Sequence, residues 1–137
     1  NAAYLCYRQL SFGYLDMAWH SLTKPYTGDV IEFEHKAMDK TAMLPVIDKA
    51  AMSPSFGHIF SGGYAAGYYG YKWAEVLDAD AFALFKETGI FNKGTAESFR
   101  RNILEKGNTE EPMSLYVKFR GQEPSVDALL KRNGIKK

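Results

Sequence analysis

From Tyr4 to Leu22 the apolar residues Leu5, Cys6, Leu10, Tyr14, Leu15, Met17, Ala18 and Leu22 recur at helical spacing. Phe12 and Trp19 widen that stripe until the predicted helix is apolar on most sides. Such a helix wants partners on more than one face. Gly13 weakens its middle by up to about 1 kcal/mol relative to alanine, which close packing would have to offset. Lys24-Pro25 ends it. Thr27-Gly28-Asp29 reads as a turn followed by an N-cap, and Val30, Phe33, Ala37 and Met38 predict an amphipathic helix to about Lys40. Thr41 to Pro45 is its exit, Val46 to Ala50 is a candidate further helical turn, and Met52 to Phe56 reads as an irregular connector.

The next helical pattern runs from Tyr71 to Glu87 and stops at Gly89. Gly67 and Gly70 weaken any start as early as Tyr64, but such a start would align Tyr64, Tyr68, Tyr71 and Glu75 on one stripe. Trp73, Val76, Leu77 and Leu84 occupy the other side, so this is a central helix, and Tyr69 and Trp73 are assigned to the core. A third marked helix opens at Asn92 to Thr95, with Thr95 and Ser98 as candidate caps, and continues through Phe99, Ile103 and Leu104 to Gly107. Pro112 to Phe119 and Ala128 to Leu130 complete the set, closed by Gly121 and Asn133-Gly134. No alternation of strand type bounded by hairpin signals occurs, so the fold class is all-α.

Composition narrows the function classes. A chain of 137 residues with 46% hydrophobic and 15% aromatic content is globular, with material for one core. Seventeen basic and sixteen acidic residues leave a formal charge of +1, which makes no case for nucleic acid or an anionic membrane. No apolar run approaches a membrane span. The single Cys6 excludes an internal disulfide, reads as a packed thiol and leaves the compartment open. The start Asn1-Ala2 lacks a methionine and reads as an expression scar or a cut within a longer chain.

The chemistry concentrates in one run, H-I-F-S-G-G-Y-A-A-G-Y-Y-G-Y-K-W, from His58 to Trp73. Five of the twelve glycines fall between Gly57 and Gly70, and four of the nine tyrosines between Tyr64 and Tyr71. Glycine supplies backbone freedom, and tyrosine supplies a stacking face with a hydroxyl that donates or accepts. This run closely resembles the substrate-binding loop of the thimet-oligopeptidase family of zinc metallopeptidases, and within it the peptidyl-dipeptidase (dipeptidyl carboxypeptidase) branch. Ser98-Phe99-Arg100 with Ile103-Leu104, and Phe119 to Pro124, match as well, and the similarity runs from about Tyr4 to Ile135.

The resemblance implies that residues 1–137 are the helical C-terminal part of a larger metallopeptidase catalytic domain that cleaves short peptides, releasing C-terminal dipeptides. It implies zinc in the full-length protein, bound upstream of this region. His58 then matches a histidine that positions substrate, Tyr64 the first loop tyrosine, and Tyr71 the tyrosine that hydrogen-bonds the tetrahedral intermediate. Tyr68 matches a further substrate-facing tyrosine, and Gly62 and Gly63 belong to a loop that closes over the peptide. The implied partners are short peptides and the missing N-terminal part of the same protein, and the cytoplasm is favoured over the periplasm.

The residues themselves are consistent with that division of labour. A peptidase zinc site needs two histidines one helical turn apart with a glutamate beside the first, as in H-E-x-x-H. His20, His35 and His58 lack that spacing, and the nearest cluster, Glu32-Phe33-Glu34-His35, sits on a polar helix face. No zinc is therefore expected in this chain, nor peptide cleavage by it alone. Self-association is expected, because two helices are apolar on several faces. Glu75, Asp78 and Asp80 are read as ion-pair partners of Arg100, Arg101 or Arg120. The alternative reading is a non-enzymatic helical module whose Gly/Tyr segment binds a peptide or another helix.

Overall fold

The computed structural model describes residues 1–136, and every regular element among them is helical. Two compact units divide the chain, one spanning Asn1–Lys72 and the other starting at Trp73.

In the first unit the broad apolar stripe forms α1 (Ala2–His20), and Asp29 caps α2 (Val30–Met38) by accepting the amides of Ile31 at 2.7 Å and Glu32 at 3.0 Å. A 3₁₀ turn, Asp39–Thr41, ends α2, and the candidate turn at Val46 to Ala50 does not become a helix. A second 3₁₀ turn, Ser53–Ser55, leads into the short α3 (Gly57–Phe60), and α4 (Gly70–Thr88) begins at the end of the unit. Leu15 and Ile59 are fully buried among Phe12, Phe56 and Tyr68, whose rings meet at centroid distances of 5.3–5.7 Å. Trp19 packs on Phe33 at 4.0 Å. Gly13 is not a steric necessity, since an added methyl would meet the Tyr69 Cα at 4.0 Å, an ordinary contact.

Glu34 departs from the polar face expected for it. It is 2% exposed, and its carboxylate accepts the amides of Met52, at 2.8 Å, and Ser53. The Trp19 indole N–H donates to the Ser53 hydroxyl at 2.8 Å, so the connector hangs from both helices. The reason is general: an irregular segment brings backbone donors without ladder partners, and burial demands an acceptor for each.

In the second unit α4 is followed by α5 (Lys93–Phe99), α6 (Pro112–Arg120) and α7 (Asp127–Arg132). Asn92, rather than Thr95 or Ser98, caps α5, because its side-chain oxygen reaches the Thr95 amide at 3.0 Å. The helix then widens into a π turn, Arg100–Leu104, before Gly107 ends it at φ +52°. Glu111 caps α6 through the Ser114 amide, with Pro112 in the first turn and Gly121 left-handed at its end. Val76, Ala79, Leu115, Tyr116 and Phe119 form the core, with Phe99 edge-on to Phe119 at 5.1 Å. Trp73 is more exposed than its core assignment required, because it lines an open cavity of about 210 Å³ with Leu77 and Leu115.

Of the expected ion pairs, Asp80 with Arg120 forms, Nε lying 3.3 Å from Oδ2 as a charge contact without an aligned hydrogen bond. The Tyr116 hydroxyl donates to the same oxygen at 2.7 Å, and Arg120 reaches on to Glu87 at 3.1 Å. Asp78 instead pairs with Arg132 at 2.5 Å, while Arg100 and Arg101 pair with Glu105 and Glu97.

Two stability predictions follow from these buried carboxylates. Glu34→Ala leaves two amides unpaired and should cost about 2–4 kcal/mol in urea unfolding; a loss under about 1 kcal/mol would mean that water replaces the carboxylate. Burial, and then the hydrogen bond to Asp80, hold the Tyr116 phenol well above 10.0. Its contribution is therefore complete below pH 10 and lost as pH rises through the folded value. Tyr116→Phe should flatten the alkaline limb of the stability–pH curve.

Candidate functional site

The Gly/Tyr run folds as a turn-rich loop between α3 and α4. Its entry depends on two glycines. A methyl at Gly62 would come within 3.0–3.1 Å of the His58 Cα and the Gly57 and His58 carbonyl oxygens, and Gly63 takes φ +82°. The turn closes with the Tyr64 amide donating to the His58 carbonyl at 3.1 Å. Tyr64 does not start a helix. Ala66 is left-handed at φ +53°, and α4 begins only at Gly70.

That interruption has a definite cause in Asp16, a residue of α1 with no exposure at all. Its Oδ1 accepts the Ala66 amide at 2.9 Å and its Oδ2 the Tyr68 amide at 2.8 Å. His20 places Nδ1 2.7 Å from Oδ1. These donors go to a carboxylate instead of to helix carbonyls. Sequence reasoning missed Asp16 and His20. The available signal was a polar pair at i, i+4 inside an otherwise apolar helix.

Although no helical stripe forms, the loop brings His58, Tyr64, Tyr68 and Tyr71 together. Tyr71 stacks on Tyr64 at 5.2 Å with 23° between ring planes and meets Tyr68 at 5.1 Å. His58 lies 5.7 Å from Tyr64 and 6.1 Å from Tyr68. Tyr68 is 8% exposed, and its hydroxyl donates to Gln9 Oε1 at 3.1 Å, so its ring is a floor against Phe12 and Phe56. Tyr64 and Tyr71, at 39% and 40%, stand on that floor and reach solvent. Tyr69 is 59% exposed rather than core, because in a turn the helical-face argument that assigned it fails.

The Tyr71 phenol is held above its ordinary 10.0, first by a side-chain hydrogen bond with Tyr64, then by desolvation and the neighbouring Tyr64 and Tyr68 phenols. It therefore keeps its proton throughout the neutral range and remains a donor. The cluster can stack on a planar group and donate hydrogen bonds to a polarised oxygen. A cavity of about 510 Å³ in this unit lies elsewhere, between α1, α2 and the segment 42–52, and includes none of these side chains.

Every regular element among the described residues is thus helical, and clustered phenols and a histidine stand together where α3 leads into α4. The chain belongs to peptidase family M3, whose family model matches residues 1–135. It is 47% identical to oligopeptidase A of Escherichia coli over an alignment of 137 positions that covers 99% of this chain and 20% of that protein. It is 42% identical to a probable cytosolic oligopeptidase A of Arabidopsis thaliana, over 98% of this chain and 20% of the relative. Against the dipeptidyl carboxypeptidase of Escherichia coli the identity is 39%, with the same shares. The chain spans about one fifth of the length of these curated relatives. The branch expected from the Gly/Tyr run is therefore matched at lower identity than oligopeptidase A.

Family membership implies zinc in the full-length enzymes. The residues present do not fit that ion, since among the described residues no group of three His, Cys, Asp or Glu side chains is arranged to hold a metal. What these residues can do is bind, orient and donate protons in hydrogen bonds.

Removing the Tyr64 hydroxyl tests the electrostatics directly. Tyr64→Phe should move the Tyr71 titration down toward 10.0, read from ultraviolet phenolate absorbance. An unchanged titration would remove Tyr64 as the cause of the shift.

Proposed function

We propose that this chain supplies the substrate-gripping and oxyanion-stabilising groups of a peptidase that cleaves short peptides, as the C-terminal part of that enzyme's catalytic domain. The observation that carries this reading is the Tyr64–Tyr71 pair, solvent-facing and backed by buried Tyr68. When a nucleophile from outside this chain adds to a peptide carbonyl, negative charge develops on its oxygen. A phenol O–H donates to that oxygen without bringing a second charge. Tyr71 fills that role by turning toward the oxygen the O–H it gives to Tyr64 at rest, Tyr64 keeps that hydroxyl oriented, and His58 lines the peptide's path beside Tyr64. Gly62 and Gly63 allow the loop to approach the substrate backbone.

Several finer features rest on the same ground. The identities favour an oligopeptidase over an enzyme restricted to releasing C-terminal dipeptides, and product analysis on peptides of graded length separates the two. A cytoplasmic location is proposed from the relative whose name places it in the cytosol. Tyr7, Leu10, Tyr14 and Met17 recur along α1 with their side chains exposed, a stripe we assign to the remainder of the protein. In the isolated chain the same stripe drives self-association, measurable by light scattering over a concentration series.

Tyr71→Phe in the full-length protein removes a bond made mainly in the transition state while the ring and its stacking survive. It should lower kcat by about 10²–10³ and leave KM within a few-fold. Tyr69→Phe is the control, since Tyr69 faces solvent outside the ring cluster. Near-full kcat in Tyr71→Phe, or an equal loss in Tyr69→Phe, would overturn the assignment.

A further inference from the structure

The oxyanion reading accounts for two hydroxyls but not for what aims them. Tyr64 and Tyr71 flank a loop in which Ala66 takes a left-handed conformation that a residue with a Cβ disfavours. Such conformations persist only where the surroundings over-determine them. Here one buried carboxylate holds the backbone on both sides of the turn. Asp16, without solvent exposure, accepts the Ala66 amide on one oxygen and the Tyr68 amide on the other, at 2.9 and 2.8 Å. Its own orientation is set in turn by His20. That ring places Nδ1 2.7 Å from Asp16 Oδ1 and 3.0 Å from the Asp16 carbonyl, and because both are acceptors the proton must sit on Nδ1.

The clamped residues connect directly to both hydroxyl-bearing ones. Beside Ala66, the Gly67 amide donates to the Tyr64 carbonyl at 2.9 Å. The Tyr68 carbonyl accepts the Tyr71 amide at 3.3 Å, and the Tyr68 ring supports the Tyr71 ring. A shift of the Ala66–Tyr68 backbone therefore moves both phenols. Misplacement of a donor by about 1 Å is enough to cost a large part of its catalytic effect.

We infer that Asp16, braced by His20, is a positioning residue of the peptidase, a two-armed latch on the Ala66–Tyr68 backbone that aims Tyr64 and Tyr71 at the developing oxyanion. This rests on the oxyanion role given above to Tyr71. Asp16 touches no substrate. It acts by holding two amides, and His20 acts by holding Asp16.

The test is a double-mutant cycle in the full-length enzyme. Asp16→Asn keeps the shape but turns one acceptor oxygen into a donor facing an N–H. It should lower kcat by about 10-fold or more, with KM within about three-fold. Because the latch works through Tyr71, the double variant Asp16→Asn/Tyr71→Phe should lose no more than about two-fold beyond Tyr71→Phe alone. A purely structural Asp16 would leave the kcat of the folded enzyme unchanged or give losses that multiply with those of Tyr71→Phe, and either result overturns the latch. If Tyr71→Phe itself is neutral, the oxyanion reading has failed and the latch falls with it, a result distinct from a costly Tyr71→Phe beside a neutral Asp16→Asn. Should Asp16→Asn not fold, His20→Gln, at a partly exposed side chain, goes through the same cycle. An approximately three-fold kcat loss that Tyr71→Phe absorbs supports the latch, and an unchanged kcat overturns it.

Discussion

Four backbone amides in the segments between helices of the first unit donate to buried carboxylates, and the path of those segments depends on the acceptors. Asp16 takes the amides of Ala66 and Tyr68, and Glu34 those of Met52 and Ser53. Each acceptor is ionisable, buried and projected from a helix onto an irregular stretch. Burying a carboxylate is unfavourable unless hydrogen bonds replace its hydration, and burying free amides is unfavourable too. Each problem is the other's solution. The helices α1 and α2 thereby dictate the path of two segments that contain no α-helix.

The second unit solves its polar burial differently. Its helices are closed locally, by side-chain caps at Asn92 and Glu111 and by glycines of positive φ at 89, 107 and 121. Its buried carboxylate, Asp80, serves side chains instead of backbone, accepting the Tyr116 hydroxyl and facing Arg120. A body whose loops are short and self-capped needs no long-range acceptor for its amides. It uses its buried charge to join α4 to α6.

For the candidate site, the difference matters because the tyrosines stand on the clamped loop. Tyr68 is anchored twice, by its amide to Asp16 and by its hydroxyl to Gln9, and its ring packs on Phe12 and Phe56. Tyr64 and Tyr71 rest against that anchored ring system with their side chains partly exposed. A rigid floor beneath partly exposed donors is the arrangement that electrostatic stabilisation requires, since donors that need not reorganise act most strongly. The relatives are about five times as long as this chain.

By itself the sequence determined the helical class, the stops at Gly89, Gly107, Gly121 and Gly134, the cap at Asp29, and the membership implied by the Gly/Tyr run. These are local: apolar periodicity, capping chemistry and a contiguous motif lie within a few residues of one another. Tertiary structure decided the rest. The helix start read near Tyr71 agrees with α4, which begins at Gly70, but the core position read for Tyr69 does not hold. Asp16, fifty positions from Ala66, takes amides of the preceding turn and so helps set a path that no local pattern encodes. Glu34 read as polar surface because its partners lie eighteen and nineteen residues on. His58, Tyr64 and Tyr71 meet for a reason that no periodicity encodes. A turn closed by Gly62 and Gly63 and a loop pinned by a buried carboxylate bring together residues that a continuous helix would have arranged otherwise.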